Sequence, residues 1–373
     1  MNNAETIKDK LEDMANQTSD STFVDLENTK VLDLIKAEVL NGDLLTEVRN
    51  IENISRAEIK MLVDLFYQQQ DYRKALREQI RSIENENVTG NDTNIAILDW
   101  CLKNVTILEK GIQDCLQAIC ESTEVGRWLL SIKGIGCVLA AGILAYLDVS
   151  RVQYATQFIS YAGLNDNNRP WLGEAKSRKI VDEVMDGKKK INDDMVVMIA
   201  AKTQWSYNYL LENAYDEQKG KWSKDKLIKA CAKIPYNKKL KVHMHKVGES
   251  FHWLMNNKDS FYGKIFNERK VYETRLNEEG AYAEQAAKIL EEKTFSKSTE
   301  AYKAYSQGKL PKAHINARAL RYVQKIFISH VFEEMYRAEY DCIPPRYYTL
   351  EHMEGHYDEI LPEVPYTKVS EEL

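Results

Sequence analysis

Punctuation is scarce in this chain. Seven prolines and sixteen glycines among 373 residues leave long stretches with nothing to end a helix, and they exclude collagen-like and Pro/Gly-rich disordered compositions. Long apolar runs are missing as well: no stretch of about 18 apolar residues occurs, so no membrane-spanning helix is expected. Met1 to Asp20 alternates acids, amides and lysines without an apolar core, which predicts no secretory signal and a cytoplasmic protein. The six cysteines, Cys101, Cys115, Cys120, Cys137, Cys231 and Cys342, form no CxxC pair. Most fall in apolar helical pattern, which reads as buried thiols in a reducing compartment and speaks against a zinc site. No Walker-type phosphate loop is present and no β-run precedes a GxG, which disfavours P-loop and Rossmann nucleotide sites.

A strong net charge is the last absence. Lys and Arg number 51 against 57 Asp and Glu, a net charge of −6, which on its face disfavours a polyanionic partner. The average conceals an opposition. Met1 to Lys60 holds thirteen acids and seven basic residues, or −6; Lys219 to Lys246 holds ten lysines and one Asp, or +9; Ala301 to His330 holds six basic residues and no acid, or +6. An acidic arm thus precedes two basic stretches, and folded back on them it would compete with their ligand.

What is abundant is helical period. Apolar residues recur at three- and four-residue spacing through most of the sequence, which predicts an all-α (mainly α) fold. Four segments follow from the pattern: an acidic N-terminal arm, 1–54, with one amphipathic stretch from Phe23 to Leu40; a long helical hairpin or coiled coil, 55–122; a domain at 123–346 containing the basic segments 219–246 and 301–330; and an acidic tail, 347–373. Ser55 with Glu58 reads as a capping box. Leu62, Leu65, Phe66, Tyr72, Leu76, Ile80 and Ile83 mark one face of the helix that follows. Turn formers from Asn85 to Asn94 end it. Ile95, Leu98, Leu102, Val105, Ile112, Leu116 and Ile119 then keep near-heptad spacing, interrupted by Glu109. This pair of helices packs either on itself or in a homo-oligomer through residues 55–122. Asn165 to Gly187 reads as a polar loop, and most of the six tryptophans as core.

The sharpest motif runs from Trp128 to Leu147. An apolar helix ends in Lys133-Gly134-Ile135-Gly136, and a second helix of small and aliphatic residues starts at once. That is the form of a helix-hairpin-helix. Its glycines let the backbone turn tightly, so that N–H groups at the start of the second helix point outward, where the helix dipole also favours an anion. Such a hairpin grips one backbone phosphate without reading bases. Lys133 adds charge beside it, and Ala140, Ala141 and Gly142 permit close helix packing.

Beyond the hairpin, Phe158-Ile159-Ser160-Tyr161-Ala162-Gly163-Leu164 follows, then Tyr236-Asn237-Lys238-Lys239-Leu240-Lys241, Gly248-Glu249-Ser250-Phe251, and His314-Ile315-Asn316-Ala317-Arg318-Ala319-Leu320-Arg321. In this order the motifs resemble the C-terminal domain of insertion-sequence transposases of the IS-one-ten group, over roughly Val125 to Pro362. The resemblance implies DNA recombination in a complex guided by a structured RNA. It also implies a RuvC-like nuclease domain with four acids and a serine nucleophile in the C-terminal domain. Residues 1–120 show helical period rather than the strands that would seat such acids. The stretch after Leu164, where the resemblance places the serine, reads Asn165-Asp166-Asn167-Asn168-Arg169-Pro170-Trp171.

The nearest serine is Ser177, between Lys176, Arg178 and Lys179, cations able to lower its pKa and hold a phosphate. Arg318, Arg321 and Lys325, at i, i+3 and i+7, share a helix face. Lys238, Lys239, Lys241 and Lys246 make a second patch with His243 and His245 between them; about five contacting cations would give a slope of log K against log salt of roughly −4.5. The pair His352 and His356 lacks the Glu placement of a zincin, and no metal or cofactor is expected. The sequence therefore predicts a DNA-binding protein, with RNA as the other candidate ligand, that grips phosphates through Lys133, Gly134, Ile135, Gly136, Lys176, Arg178 and the two basic helices without cleaving on its own. A serine recombinase using Ser177, and a protein-interaction scaffold with a nucleic-acid-mimicking arm, are the alternatives.

Overall fold

Helix α1 (Arg56–Glu86) starts at its capping box. The Glu58 N–H donates to Ser55 Oγ at 3.2 Å, and the Ser55 N–H donates back to the Glu58 carboxylate at 2.8 Å. The Ser55 hydroxyl also donates to the Glu58 carboxylate, at 2.6 Å, and this bond together with that from the Ser55 N–H holds the carboxyl below its usual range. The computed structural model describes residues 54–86, 92–165, 171–345 and 360–366, all within the unit Glu52–Leu373. The amphipathic stretch Phe23 to Leu40, the segment 166–170 and the pair His352 and His356 lie outside the described residues.

Helix α2 (Asp92–Ser122) packs along α1. The buried stripe of α1 is Ile59, Val63, Phe66, Leu76 and Ile80, whereas Leu65 and Tyr72 are exposed. Apolar residues sit on two adjoining stripes of this helix, and what packs against it selects one of them. At the middle of the seam Arg73 donates its Nε to Glu109, with a second bond from Nη2 at 3.1 Å. The acid that interrupts the apolar series of α2 is one half of an ion pair between the helices.

Helices α3 (Glu124–Ser131) and α4 (Cys137–Tyr146) follow. Thr123 caps α3 by accepting from the Gly126 N–H at 3.1 Å. Helix α4, CVLAAGILAY, has no polar face, and a helix that is apolar all round must be enclosed; α1, α2 and α3 pack against it. A 3-10 turn at Val149–Arg151 leads to α5 (Ala155–Tyr161).

The expected loop between Asn165 and Gly187 is instead mostly helix: α6 spans Gly173–Met185. Its inner positions Ser177, Val181, Val184 and Met185 stand at i, i+4, i+7 and i+8, a stripe hidden among charged neighbours. It ends at Asp186 and Gly187, both left-handed. With α7 (Asp193–Thr203), α8 (Tyr207–Ala214), the ribbon β1 (Tyr215–Asp216) and β2 (Lys221–Trp222), and α9 (Lys224–Ala232), it forms a separate apolar cluster around Val196, Ile199, Leu210 and Leu227. Helices α10 (Lys238–Trp253), α11 (Phe261–Glu278), α12 (Ala283–Glu292), α13 (Glu300–Ser306) and α14 (Lys312–Tyr340) complete a mainly α fold. Helix α14 is its axis: α5, α10 and α11 pack on it, and Phe327, Ile328, Val331 and Glu334 are fully buried.

Candidate nucleic-acid interface

Helix α3 turns into α4 through Ile132 to Gly136. Gly134 has φ +102, its carbonyl accepts from Ser250 Oγ at 2.6 Å, and a Cβ built there would stand 2.8 Å from Leu254 Cδ1. The positive φ calls for glycine, while the Leu254 methyl, at the end of a flexible side chain, would have to shift to admit a Cβ. Ile132 and Ile135 are buried and anchor the turn. Gly136 is the N-cap of α4: it is exposed, has no side-chain cap, and would have nothing within 4 Å of a Cβ. The positive end of α4 therefore opens to solvent, as an anion site needs. Lys133 is exposed too, but its Nζ lies 3.5 Å from Asp259, and a cavity of about 260 Å³ beside it is also lined by Glu363. The amides of the turn are its less compromised feature.

The second part of the interface begins where α5 ends. The Leu164 N–H donates to the Ile159 carbonyl at 3.1 Å and the Gly163 N–H to the Ser160 carbonyl at 3.0 Å, a Schellman closure with Gly163 at φ +67. A Cβ on Gly163 would meet the Tyr236 ring at 2.7 Å. Asn237 locks the two segments together: its N–H donates to the Tyr161 carbonyl at 2.9 Å and its Nδ2 to the Tyr161 hydroxyl at 2.8 Å. Its Oδ1 accepts from the Leu240 N–H at 3.1 Å and so caps α10.

Helix α10 then opens with Lys238, Lys239 and Lys241 and no acid in its first turn. Cations at the positive end of a helix are unfavourable by about 0.3–1 kcal/mol each, and a bound anion reverses the sign. Lys239 reaches Asp64 of α1 at 2.5 Å, and Lys241 lies over the Tyr236 ring at 4.3 Å. Gly163, Leu164, Lys241, His245, Arg321 and Gln324 line an open groove of about 490 Å³. Gln324 Nε2 donates to the Met244 carbonyl at 2.7 Å and holds α14 against α10. Lys241 and Ser250 are nine residues apart, hence on opposite faces of α10 and about 14 Å apart along it. The groove and the hairpin turn therefore face different ways.

Other residues singled out in the sequence are placed elsewhere. Arg318 Nε donates to the buried carboxylate of Glu273 at 2.6 Å, where Arg269 and the Tyr282 hydroxyl also donate. Burial works to raise the Glu273 pKa, but these donors outweigh it and hold the group low. Lys246 lies over the Tyr67 ring, and burial depresses its pKa. His243 is buried: its Nε2 bonds the Leu139 carbonyl at 2.9 Å, burial lowers its pKa to about 4, and its ring fills the space left by Gly142 of α4. Lys325 is half-buried. Lys176 and Arg178 are exposed on α6, and Arg178 bonds Glu174 at 3.0 Å. Ser177, between them, points inward: it is fully buried and its Oγ has no hydrogen-bond partner. Trp128, Trp205 and Trp222 are buried as expected, but Trp100, Trp171 and Trp253 are exposed. His245, grouped with the lysines of α10 in the sequence, does stand in the groove beside Lys241, whereas sequence reading missed the backbone at Gly163 as a groove residue. The signal was the turn of Tyr161 to Leu164 combined with the i, i+4 step from Lys241.

Among the described residues no cluster of three or more His, Cys, Asp or Glu is arranged to hold a metal ion, and no helix is long and apolar enough to cross a membrane. No curated protein and no solved structure matches the chain. Residues 126–170 match the transposase IS116/IS110/IS902 family. They run from α3 through the hairpin turn, α4 and α5 to the Gly163 closure and on to residue 170, so it is this hairpin-bearing stretch that is similar to the transposase IS116/IS110/IS902 family.

Proposed function

We propose that the chain is a transposase-related DNA-binding protein that holds phosphates in the Lys241–Arg321 groove and at the open start of α4, without cleaving DNA on its own. One observation carries the reading: Gly163 and Leu164 of the matched segment, the lysine-bearing first turn of α10 and Arg321 of α14 converge on a single groove. Nothing in that geometry reads base edges, so the grip is on the backbone. Lys239 and Arg318 are engaged with the carboxylates of Asp64 and Glu273, and Lys246 is partly buried over Tyr67; counting Lys241 and Arg321 at the groove together with the open start of α4 gives about three phosphate contacts. Log K should then fall with log salt at a slope of roughly −2.7, shallower than the sequence suggests.

The absence of autonomous cleavage rests on Ser177, whose hydroxyl is sealed inside the α6 cluster. The test is anisotropy titration of a labelled DNA duplex against the parent and the Lys241→Gln/Arg321→Gln variant. The variant should lose about two of the roughly three phosphate contacts, so its slope should flatten by about 1.8. An unchanged slope would remove the groove from the interface. Incubation with branched DNA should give no covalent protein–DNA adduct; an adduct that disappears in Ser177→Ala would establish the serine as a nucleophile.

A further inference from the structure

The lysines of the first basic segment divide into those with acidic partners and those without. Lys219 lies 3.7 Å from Asp216, Lys224 lies 2.6 Å from Asp182 and Lys239 lies 2.5 Å from Asp64. Lys226, Lys229 and Lys233 are exposed, and among the described residues no carboxylate stands within ion-pair distance of any of them. They recur at i, i+3 and i+7, so they form one row on α9 and just past its end, about 10 Å long at 1.5 Å per residue. The row borders an open groove of about 490 Å³ between α6, α8 and α9, in which Glu174, Tyr209 and Asn213 also stand. Its one carboxylate, Glu174, is taken up by Arg178 at 3.0 Å, which leaves the three lysines uncompensated.

Aromatic rings stand beside these charges. Tyr209 stacks on Trp205 with ring centroids 4.0 Å apart and carries Lys233 above its ring at 5.7 Å. Trp171 donates its Nε1–H to the carbonyl of Ala232, a groove residue, at 3.1 Å, while 55% of the residue stays exposed. The hydrogen bond fixes the indole at the rim and leaves ring surface bare. A row of cations with a pinned, uncovered indole is the arrangement that holds a single strand, phosphates on the lysines and an unstacked base on the ring. A duplex keeps its base faces stacked inside and has no use for the indole.

We propose that the groove of Lys226, Lys229 and Lys233, with Trp171 at its rim, is a second nucleic-acid site that takes single-stranded rather than duplex nucleic acid. At about 3.4 Å per phosphate along a stacked strand, the row covers about three phosphates. The site rests on reading the chain as a nucleic-acid-binding protein, but shares no residue with the Lys241–Arg321 groove, so the two can be lost separately.

The test compares a fluorescein-labelled oligothymidylate, a duplex of equal length and an unlabelled polyphosphate competitor. The proteins are the full chain, Lys226→Gln/Lys229→Gln/Lys233→Gln, Trp171→Ala and Lys241→Gln/Arg321→Gln, each checked by circular dichroism and melting temperature. The triple variant should bind oligothymidylate at least tenfold more weakly, with a salt slope shallower by about 2, and bind duplex within twofold of the parent. Trp171→Ala should weaken oligothymidylate alone by about five- to a hundredfold. Lys241→Gln/Arg321→Gln should weaken duplex while sparing the oligothymidylate. If the triple variant folds poorly, Lys229→Glu alone must still lower oligothymidylate affinity. Duplex binding without oligothymidylate binding by the parent would overturn this site and leave the first groove standing; loss of neither ligand in the triple variant would overturn it as well. Equal competition by polyphosphate with no effect of Trp171→Ala would replace the single-strand assignment by a general anion patch. A parent that binds neither nucleic acid would end both readings.

Discussion

At the scale of single residues, the sharpest dependence is one glycine on one histidine. Gly142 lies in the middle of α4, where alanine would ordinarily stabilise a helix by about 1 kcal/mol. Here a Cβ would stand 2.1 Å from the His243 ring. The ring cannot retreat, because its Nε2 is bonded to the Leu139 carbonyl at 2.9 Å in a fully packed layer. Gly142→Ala should therefore destabilise by about 1–3 kcal/mol, the usual cost of overpacking, read as a lower urea midpoint. His243→Ala in the same background should restore part of the loss, since the interfering atoms are gone. Stabilisation by Gly142→Ala would show that α4 and α10 are not in contact as described. The same scale bears on Ser177: a buried hydroxyl without a partner is a cost to the native state, and the serine that reads as exposed among cations in the sequence has its Oγ buried in the fold.

At the scale of elements, the hairpin turn can be tested without damaging it, because its two glycines differ. Gly134 is held left-handed against Leu254, so any side chain there confounds binding with folding. Gly136 has φ −89 and open space around it. Gly136→Asp places a carboxylate at an N-cap, which suits the helix by a few tenths of a kcal/mol, while occupying the proposed anion site with the protein's own charge. The expected outcome is a melting temperature equal to or above the parent and about tenfold weaker duplex binding, or 1.4 kcal/mol. Unchanged affinity in a folded variant would take the turn out of the interface. The elements also show how far the sequence was legible. Local signals survived: the Ser55 capping box, the Gly134–Gly136 turn and the apolar series of α2, whose interrupting Glu109 answers Arg73. What depends on a distant partner did not. The stripe of α1 was legible in part: Phe66, Leu76 and Ile80 are buried as the spacing predicts, whereas Leu65 and Tyr72, on an adjoining apolar stripe, are exposed. Helix α6 was hidden because its apolar residues are few and widely spaced. Arg318 reads as a surface cation until Glu273, 45 residues earlier in the chain, is brought beneath it. Tyr161 to Leu164 and Tyr236-Asn237 were legible as motifs, but their mutual hydrogen bonds, which build the groove, were not.

At the scale of the whole molecule, two buried histidines set the response to acid. His243 joins α10 to α4. His330 of α14 bonds the Tyr262 hydroxyl of α11 through Nδ1 at 2.8 Å and the Ile360 carbonyl through Nε2 at 2.6 Å. Burial lowers both pKa values from 6.5 to about 4. Above about pH 6.5 the rings are neutral whether the chain is folded or not, and they contribute no pH dependence. As the pH falls below that, the unfolded chain takes up two protons that the folded chain refuses, so stability falls as pH falls from about 6.5 to about 4 and levels off for these groups below. The full difference of two protons amounts to about 2.7 kcal/mol per pH unit. Against a total of about 5–15 kcal/mol for an ordinary domain, that is enough to unfold the protein in mild acid. Glu273, whose donors hold its pKa low, acts in the same direction but at lower pH, below the usual range of a free carboxyl. Urea midpoints should therefore be nearly constant from about pH 8 to pH 7 and drop steeply between about pH 6 and pH 4.5. His330→Gln keeps a donor for the Ile360 carbonyl but cannot titrate, and it should halve the slope in that window whatever its effect at neutral pH. A slope unchanged in both His330→Gln and His243→Gln would mean that acid acts through the carboxylates alone, and that these two histidines are reached by solvent in the folded protein.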